Sequence, residues 1–214
     1  MYSFSTKGIR SKRIHIEANG LRIPLLILKP LSEPENAPGV MWIHGGGYMT
    51  GMKEMAYIGR AAISMLARDK GEVKIAFQMP LYPMIDNFDT ESSKDNHAKV
   101  WNTRRNHQAW AVYLRKDAKK EVSPYAAPSR QTDYSNLPPA YTFVCTAEPF
   151  YCETLKYIED LKAAGVEAKV DVYEGMYHAF DMSEPEHPTG KEAIKNFNEM
   201  FAYAKEHYFA KQEG

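Results

Sequence analysis

Three consecutive glycines, Gly45, Gly46 and Gly47, stand between His44 and Tyr48 at the end of the apolar run Val40 to Ile43. Glycine carries no Cβ, so a ligand can lie against its main chain, and its access to positive φ lets successive N–H groups converge on one point. Converging N–H groups stabilise an oxyanion, the charge that develops on a carbonyl oxygen during acyl transfer. Three glycines after a strand also make an ordinary tight turn, and the residues alone leave both readings open. Acyl transfer further requires a nucleophile, an imidazole to take its proton, and a carboxylate that fixes the imidazole tautomer. His178, in the stretch Glu174 to Phe180, is of the right type for the second role, although an isolated histidine is more often a surface or core-edge residue.

Taken together, these stretches resemble α/β-hydrolases of the hormone-sensitive-lipase-like carboxylesterase family, in which a His-Gly-Gly-Gly loop supplies part of the oxyanion hole. The resemblance assigns Gly45, Gly46 and Gly47 to that hole. It makes His178, within Gly175-Met176-Tyr177-His178-Ala179-Phe180, the base, and Glu148, within Ala147-Glu148-Pro149-Phe150, the acid. Acid precedes histidine, as in the family. Glu148 replaces the more usual Asp, and Cys152 stands where a second carboxylate is common, which leaves Glu153 as an alternative acid. Pro80-Leu81-Tyr82-Pro83 is similar to the end of the family's sixth strand.

The resemblance also implies a nucleophile elbow, Gly-x-Ser-x-Gly, and this chain has none. Ser64, Ser92, Ser93, Ser123, Ser129 and Ser135 lie between the glycine loop and Glu148, and none has glycine two positions before or after it. Those glycines are needed because the strained strand-to-helix turn leaves no room for side chains. The interval from Gly47 to Lys74 accommodates one βαβ crossover and no more. We therefore expect an internal deletion with its junction near Gly59 to Ile63, which removes the elbow, about two central strands and their helices.

The elements that must position these residues read as one α/β domain over residues 1–214, with an α/β-hydrolase-like, mostly parallel sheet and helices on both faces. Arg13 to Ala18 and Leu21 to Leu28 read as strands around the hairpin signal Asn19-Gly20. Pro30, Pro34 and Pro38 mark an exposed connection. Val40 to Ile43 reads as a strand, Lys53 to Lys70 as a helix stopped by Gly71, and Lys74 to Tyr82 as a buried strand. We expect Val40 to Ile43 to pair parallel with Lys74 to Gln78 through a right-handed crossover, with Leu21 to Leu28 antiparallel on the other side. Residues 86–139 form a lid and connector, with a helical segment from Val100 to Lys116 and an irregular one from Ser123 to Pro139. Ala140 to Thr146 and Ala168 to Tyr173 are strands, and Glu153 to Ala164 and Thr189 to Tyr208 are helices.

With 27 basic and 27 acidic residues the chain gives no electrostatic reason to invoke nucleic acid or an anionic membrane. Neither a signal-peptide core nor a spanning run is found, so a cytoplasmic location is expected. The two cysteines, Cys145 and Cys152, are expected reduced and structural. No cofactor is expected. A metal site built from His178 and His187 has no usual ligand spacing. Three readings follow, in decreasing weight: a small-acyl-ester carboxylesterase impaired by loss of its nucleophile, a non-catalytic small-molecule-binding or interaction protein, and a metal-dependent hydrolase. Loss of central strands also exposes apolar helix faces, and self-association is expected from that.

Overall fold

The computed structural model describes residues 8–18, 21–32, 37–41, 43, 61–115 and 121–212. The glycine loop at residues 45–47 and the hairpin tip Asn19-Gly20 lie outside them.

Strands β1 (Ile9–Ala18) and β2 (Leu21–Pro30) pair antiparallel from Ile9↔Pro30 to Ala18↔Leu21, each longer than its sequence pattern indicated. Leu31 N–H donates to Gly8 O at 2.8 Å, which fixes the hydrogen-bond phase of the ladder. By that alternation Pro24 and Pro30 fall at positions whose N–H would point away from β1, where a missing donor costs the pair nothing.

Helix α1 (Ala61–Lys70) ends at Gly71, whose φ of +68° and N–H bond to Ala67 O (3.0 Å) form a left-handed C-terminal cap. The expected start of this helix at Lys53 lies outside the described residues. After the polar stretch 86–99 comes α2 (Thr103–Leu114), capped by the Asn102 side chain, which accepts from Arg105 N–H. The connector is irregular apart from a short turn at Pro128–Arg130.

Two parallel strands, β3 (Ala140–Cys145) and β4 (Ala168–Tyr173), are joined by α3 (Tyr151–Ala163), the right-sized crossover for a parallel pair. A four-residue α4 (Phe180–Ser183) and the long α5 (Pro188–His207) complete the chain. Every residue of β3 is buried, Thr142 included. Tyr157, Ile158 and Leu161 of α3 pack with Ala140, Met65 and Ile85 in one core cluster. Phe143, Tyr173, Phe180 and Ala193 share a second with Leu81 and Tyr82. Gly190 lets α5 start where it does, because a Cβ there would come within 2.7 Å of Glu184 O.

Two expectations about the sheet fail. Lys74 to Tyr82 is not a strand: it runs parallel to β3 but forms a single bridge, Gln78↔Ala140. Gln78 N–H donates to Pro139 O and Tyr82 N–H to Phe143 O, each at 3.0 Å, but Pro80 between them has no N–H to give, so the ladder is interrupted. The Thr142 hydroxyl instead satisfies the Pro80 carbonyl. The second failure is the pairing of Val40 to Ile43. Val40, Met41 and Ile43 belong to no strand, and Val40 and Met41 are 59% and 75% exposed. Among the described residues their backbone joins no sheet, and β2 pairs with β1 alone.

Candidate active site

The C-terminal ends of β3 and β4 each deliver a loop, and backbone bonds join the two. Thr146 N–H donates to Tyr173 O (3.2 Å) and Ala147 N–H to Met176 O (3.1 Å), while the Thr146 hydroxyl accepts from Gly175 N–H (2.8 Å). Gly175, at φ +72°, supplies the turn that brings the second loop back. Carboxyl ends of parallel strands are where α/β sheets present side chains to ligands.

The first loop carries Glu148 and the second His178. Glu148 is wholly buried; its Oε1 accepts from Cys145 N–H at 2.8 Å and its Oε2 lies 2.6 Å from His178 Nδ1. A carboxylate can only accept, so Nδ1 carries the proton and Nε2 presents its lone pair on the far side of the ring. Nε2 meets no hydrogen-bond partner among the described residues. The imidazole, 14% exposed, is flanked by the Tyr82 ring at 4.5 Å and 75° and the Phe150 ring at 5.0 Å and 83°, with Trp101 tilted over it at 6.1 Å. A buried carboxylate bound to one imidazole nitrogen, with the other nitrogen left for a second group, is the arrangement that a base in acyl transfer requires.

Backbone strain gathers here. Ala179, next to His178, sits at φ 60° and Tyr82 at φ 30°, both in the region that non-glycine residues avoid. Tyr82 is tied down twice, by its N–H to Phe143 O and by its hydroxyl, which donates to Asp181 Oδ1 at 3.2 Å. Burial pushes the Tyr82 hydroxyl well above its ordinary pKa, with the Asp181 charge adding to it. Burial likewise raises the Asp181 carboxyl. Neither residue was singled out for this site from the sequence, although Tyr82 falls in the Pro80 to Pro83 stretch that carried part of the resemblance.

The alternative acid goes elsewhere. Glu153 is buried on α3 with Oε1 accepting from Ile85 N–H at 2.9 Å, and its carboxyl is raised well above the ordinary range, chiefly by burial. Cys145 is buried beneath Glu148 and its thiol is pushed up, first by burial and then by that carboxylate. Cys152 is also unpaired. Ser92 lies against the acid loop, where its hydroxyl donates to Pro149 O (2.6 Å) and accepts from Cys152 N–H (3.0 Å). His187 caps α5, its ring accepting from Thr189 N–H. Among the described residues no three His, Cys, Asp or Glu side chains gather as metal ligands would, and no helix is long and apolar enough to cross a membrane.

A sequence model of a family described as alpha/beta hydrolase fold matches residues 60–182, a span that contains Glu148 and His178. Solved structures share the architecture. A thermostable esterase from Pseudomonas putida is 21% identical with a TM-score of 0.75, covering 98% of this chain and 86% of its own. A bacterial heroin esterase is 21% identical with a TM-score of 0.72, covering 90% and 86% respectively. An esterase from Pyrobaculum calidifontis is also 21% identical, with a TM-score of 0.72 and coverage of 92% and 85%. No curated protein matches the sequence.

Proposed function

Because the chain belongs to the alpha/beta hydrolase fold family, we propose that it is a carboxylic-ester hydrolase scaffold for small acyl esters that has lost serine catalysis. The observation that carries this reading is the 2.6 Å bond between His178 Nδ1 and the buried Glu148, which has no role in holding two loops together that backbone bonds do not already fill. In the proposal His178 is the base, Glu148 orients it, and Gly45 to Gly47 contribute oxyanion N–H groups. Those three glycines lie outside the described residues, and their role rests on the His44-Gly45-Gly46-Gly47 resemblance.

No serine of this chain has the glycine spacing of an elbow. Removing a triad nucleophile costs about 10⁶ in turnover, and losing one oxyanion donor roughly another 10² to 10³. What is left binds a small ester or its acid product without turning an alkyl ester over by a serine route. An internal deletion is the proposed origin, and the matched span supports it by starting at residue 60, inside the expected junction Gly59 to Ile63. The unpaired Cys145 and Cys152 support a reducing, cytoplasmic setting.

The test is to treat the purified chain with a fluorophosphonate probe and to assay a short-chain alkyl ester in parallel. We expect no serine adduct and no turnover above buffer. A stoichiometric adduct mapped to any serine would overturn the proposal.

A further inference from the structure

We propose that His178 is itself an acyl acceptor, and that the chain transfers acyl groups from aryl esters to water through Nε2 of this imidazole. The inference rests on the reading above, in which no serine serves as nucleophile, and it adds the group that takes its place. In an intact triad the lone pair of the imidazole is occupied by the serine hydroxyl. Here Nε2 has no hydrogen-bond partner among the described residues. Histidine is among the side chains that form covalent intermediates when held and activated.

The geometry meets both conditions. Glu148 fixes the protonated nitrogen as Nδ1, so the nucleophilic pair is on Nε2 in the resting state. The ring cannot turn about that bond without displacing Tyr82 and Phe150, which stand nearly perpendicular to it at 75° and 83°. Glu148 is fully buried with its other oxygen bound to Cys145 N–H, so it cannot swing away. The positive charge that the imidazole gains on acylation is therefore met at once by a fixed carboxylate in a poorly solvated place, where such an interaction is strong. The aromatic walls, Trp101 at 6.1 Å among them, favour a donor with a flat aryl group.

In the first step the Nε2 pair attacks the ester carbonyl carbon, the bond from that carbon to the aryl oxygen breaks, and aryloxide leaves with the bonding pair. The product is an acyl-imidazolium whose Nδ1–H still points at Glu148. In the second step water attacks the acyl carbon, Nε2 recovers its electron pair, and a carboxylic acid is released with a proton passing to solvent. Ester and water become phenol and acid, and nothing is oxidised or reduced. Alkyl esters are poor donors, because an alkoxide leaves far less readily than an aryloxide from a neutral imidazole adduct.

The experiment uses the full chain and p-nitrophenyl trimethylacetate, whose bulky acyl group slows the second step so that the adduct accumulates. We expect p-nitrophenolate release together with a trimethylacetyl group mapped by peptide mass spectrometry to His178 and removed by hydroxylamine. The Glu148→Gln variant should form the adduct at least about tenfold more slowly, because a neutral amide no longer offsets the charge that the imidazole gains. The His178→Ala variant should form none. If that variant does not fold, the site of the adduct in the unmodified chain decides the matter alone. Acylation confined to lysines would overturn the inference and leave the loss of serine catalysis standing. Release of p-nitrophenolate without an adduct and with a large solvent isotope effect would also overturn it, since the imidazole would then be activating water. A serine adduct, from this ester or from the fluorophosphonate, would instead overturn the reading on which the inference rests.

Discussion

Glu148 and Glu153 are both buried carboxyls near the start of one helix, and only their partners separate them. Glu148 has an oxygen for Cys145 N–H and one for His178, so both acceptors are used. Glu153 uses Oε1 on Ile85, while Oε2 is buried without a partner. Replacing Glu148 by Ala leaves the Cys145 N–H and the His178 Nδ1–H buried without their acceptor and should cost about 3–5 kcal/mol of stability, whereas Gln keeps an acceptor and should cost less; urea unfolding of the two variants measures the difference. Glu153 gives a pH signature of opposite sense to the usual acid. Its folded pKa is raised by burial above the ordinary value of about 4.3, so between the two values the folded state binds more protons and stability falls as pH rises. The stability of Glu153→Gln relative to the natural chain should therefore climb from about pH 4 upward, by up to about 1.4 kcal/mol per pH unit. A flat difference across urea titrations from acid to neutral pH would refute this. From the sequence Glu148 is the candidate acid and Glu153 a weaker alternative. Five residues apart along one stretch, they are told apart by their partners from distant parts of the chain, the His178 ring for Glu148 and the Ile85 N–H for Glu153.

Elements with a clear local period were legible: α3, β4 and α5 lie within a few residues of where apolar spacing and capping residues put them. The strand expected over Lys74 to Tyr82 failed because its apolar pattern says nothing of backbone donors, and Pro80 removes one at the place where pairing with β3 would continue. The start of α3 shows another kind of illegibility. Its N-cap, Phe150, offers no side-chain acceptor, and the Ser92 hydroxyl reaches across from the polar stretch 86–99 to accept from Cys152 N–H. Asn96 adds a bond from its amide to Ala147 O, so the polar stretch 86–99 is fastened to the loop that bears Glu148. No local motif announces a cap supplied from so far away in sequence. Ser92→Ala should cost about 1 kcal/mol, the usual value of a helix cap, and should broaden the amide resonances of residues 147–152 in NMR spectra. Unchanged stability and unchanged spectra would mean that Phe150 and solvent cap the helix well enough without it.

At the scale of the whole molecule, exposed apolar surface gathers on the hairpin. Ile16 pairs with Ile23, Ile14 with Leu25 and Lys12 with Ile27, so these side chains share one face of a two-stranded ribbon, and Ile16 and Ile23 remain 43% and 38% exposed. A two-stranded ribbon is marginal by itself and gains stability from whatever covers such a face. The family resemblance made exposed core surface foreseeable, because a sheet short of central strands has less to bury; it did not reveal that the surface would gather on β1 and β2. Pro24 and Pro30 blunt the outer edge of β2, which disfavours strand addition there and leaves face-to-face contact as the route to association. We expect the chain to self-associate through this face, with a sedimentation coefficient that rises with concentration. The double variant Ile16→Lys, Ile23→Glu should weaken association at least tenfold, since each buried isoleucine side chain contributes about 1.5–3 kcal/mol, while leaving the far-ultraviolet circular dichroism unchanged. A monodisperse monomer at all concentrations, unfolding in one cooperative transition, would show that the face is covered within the single chain.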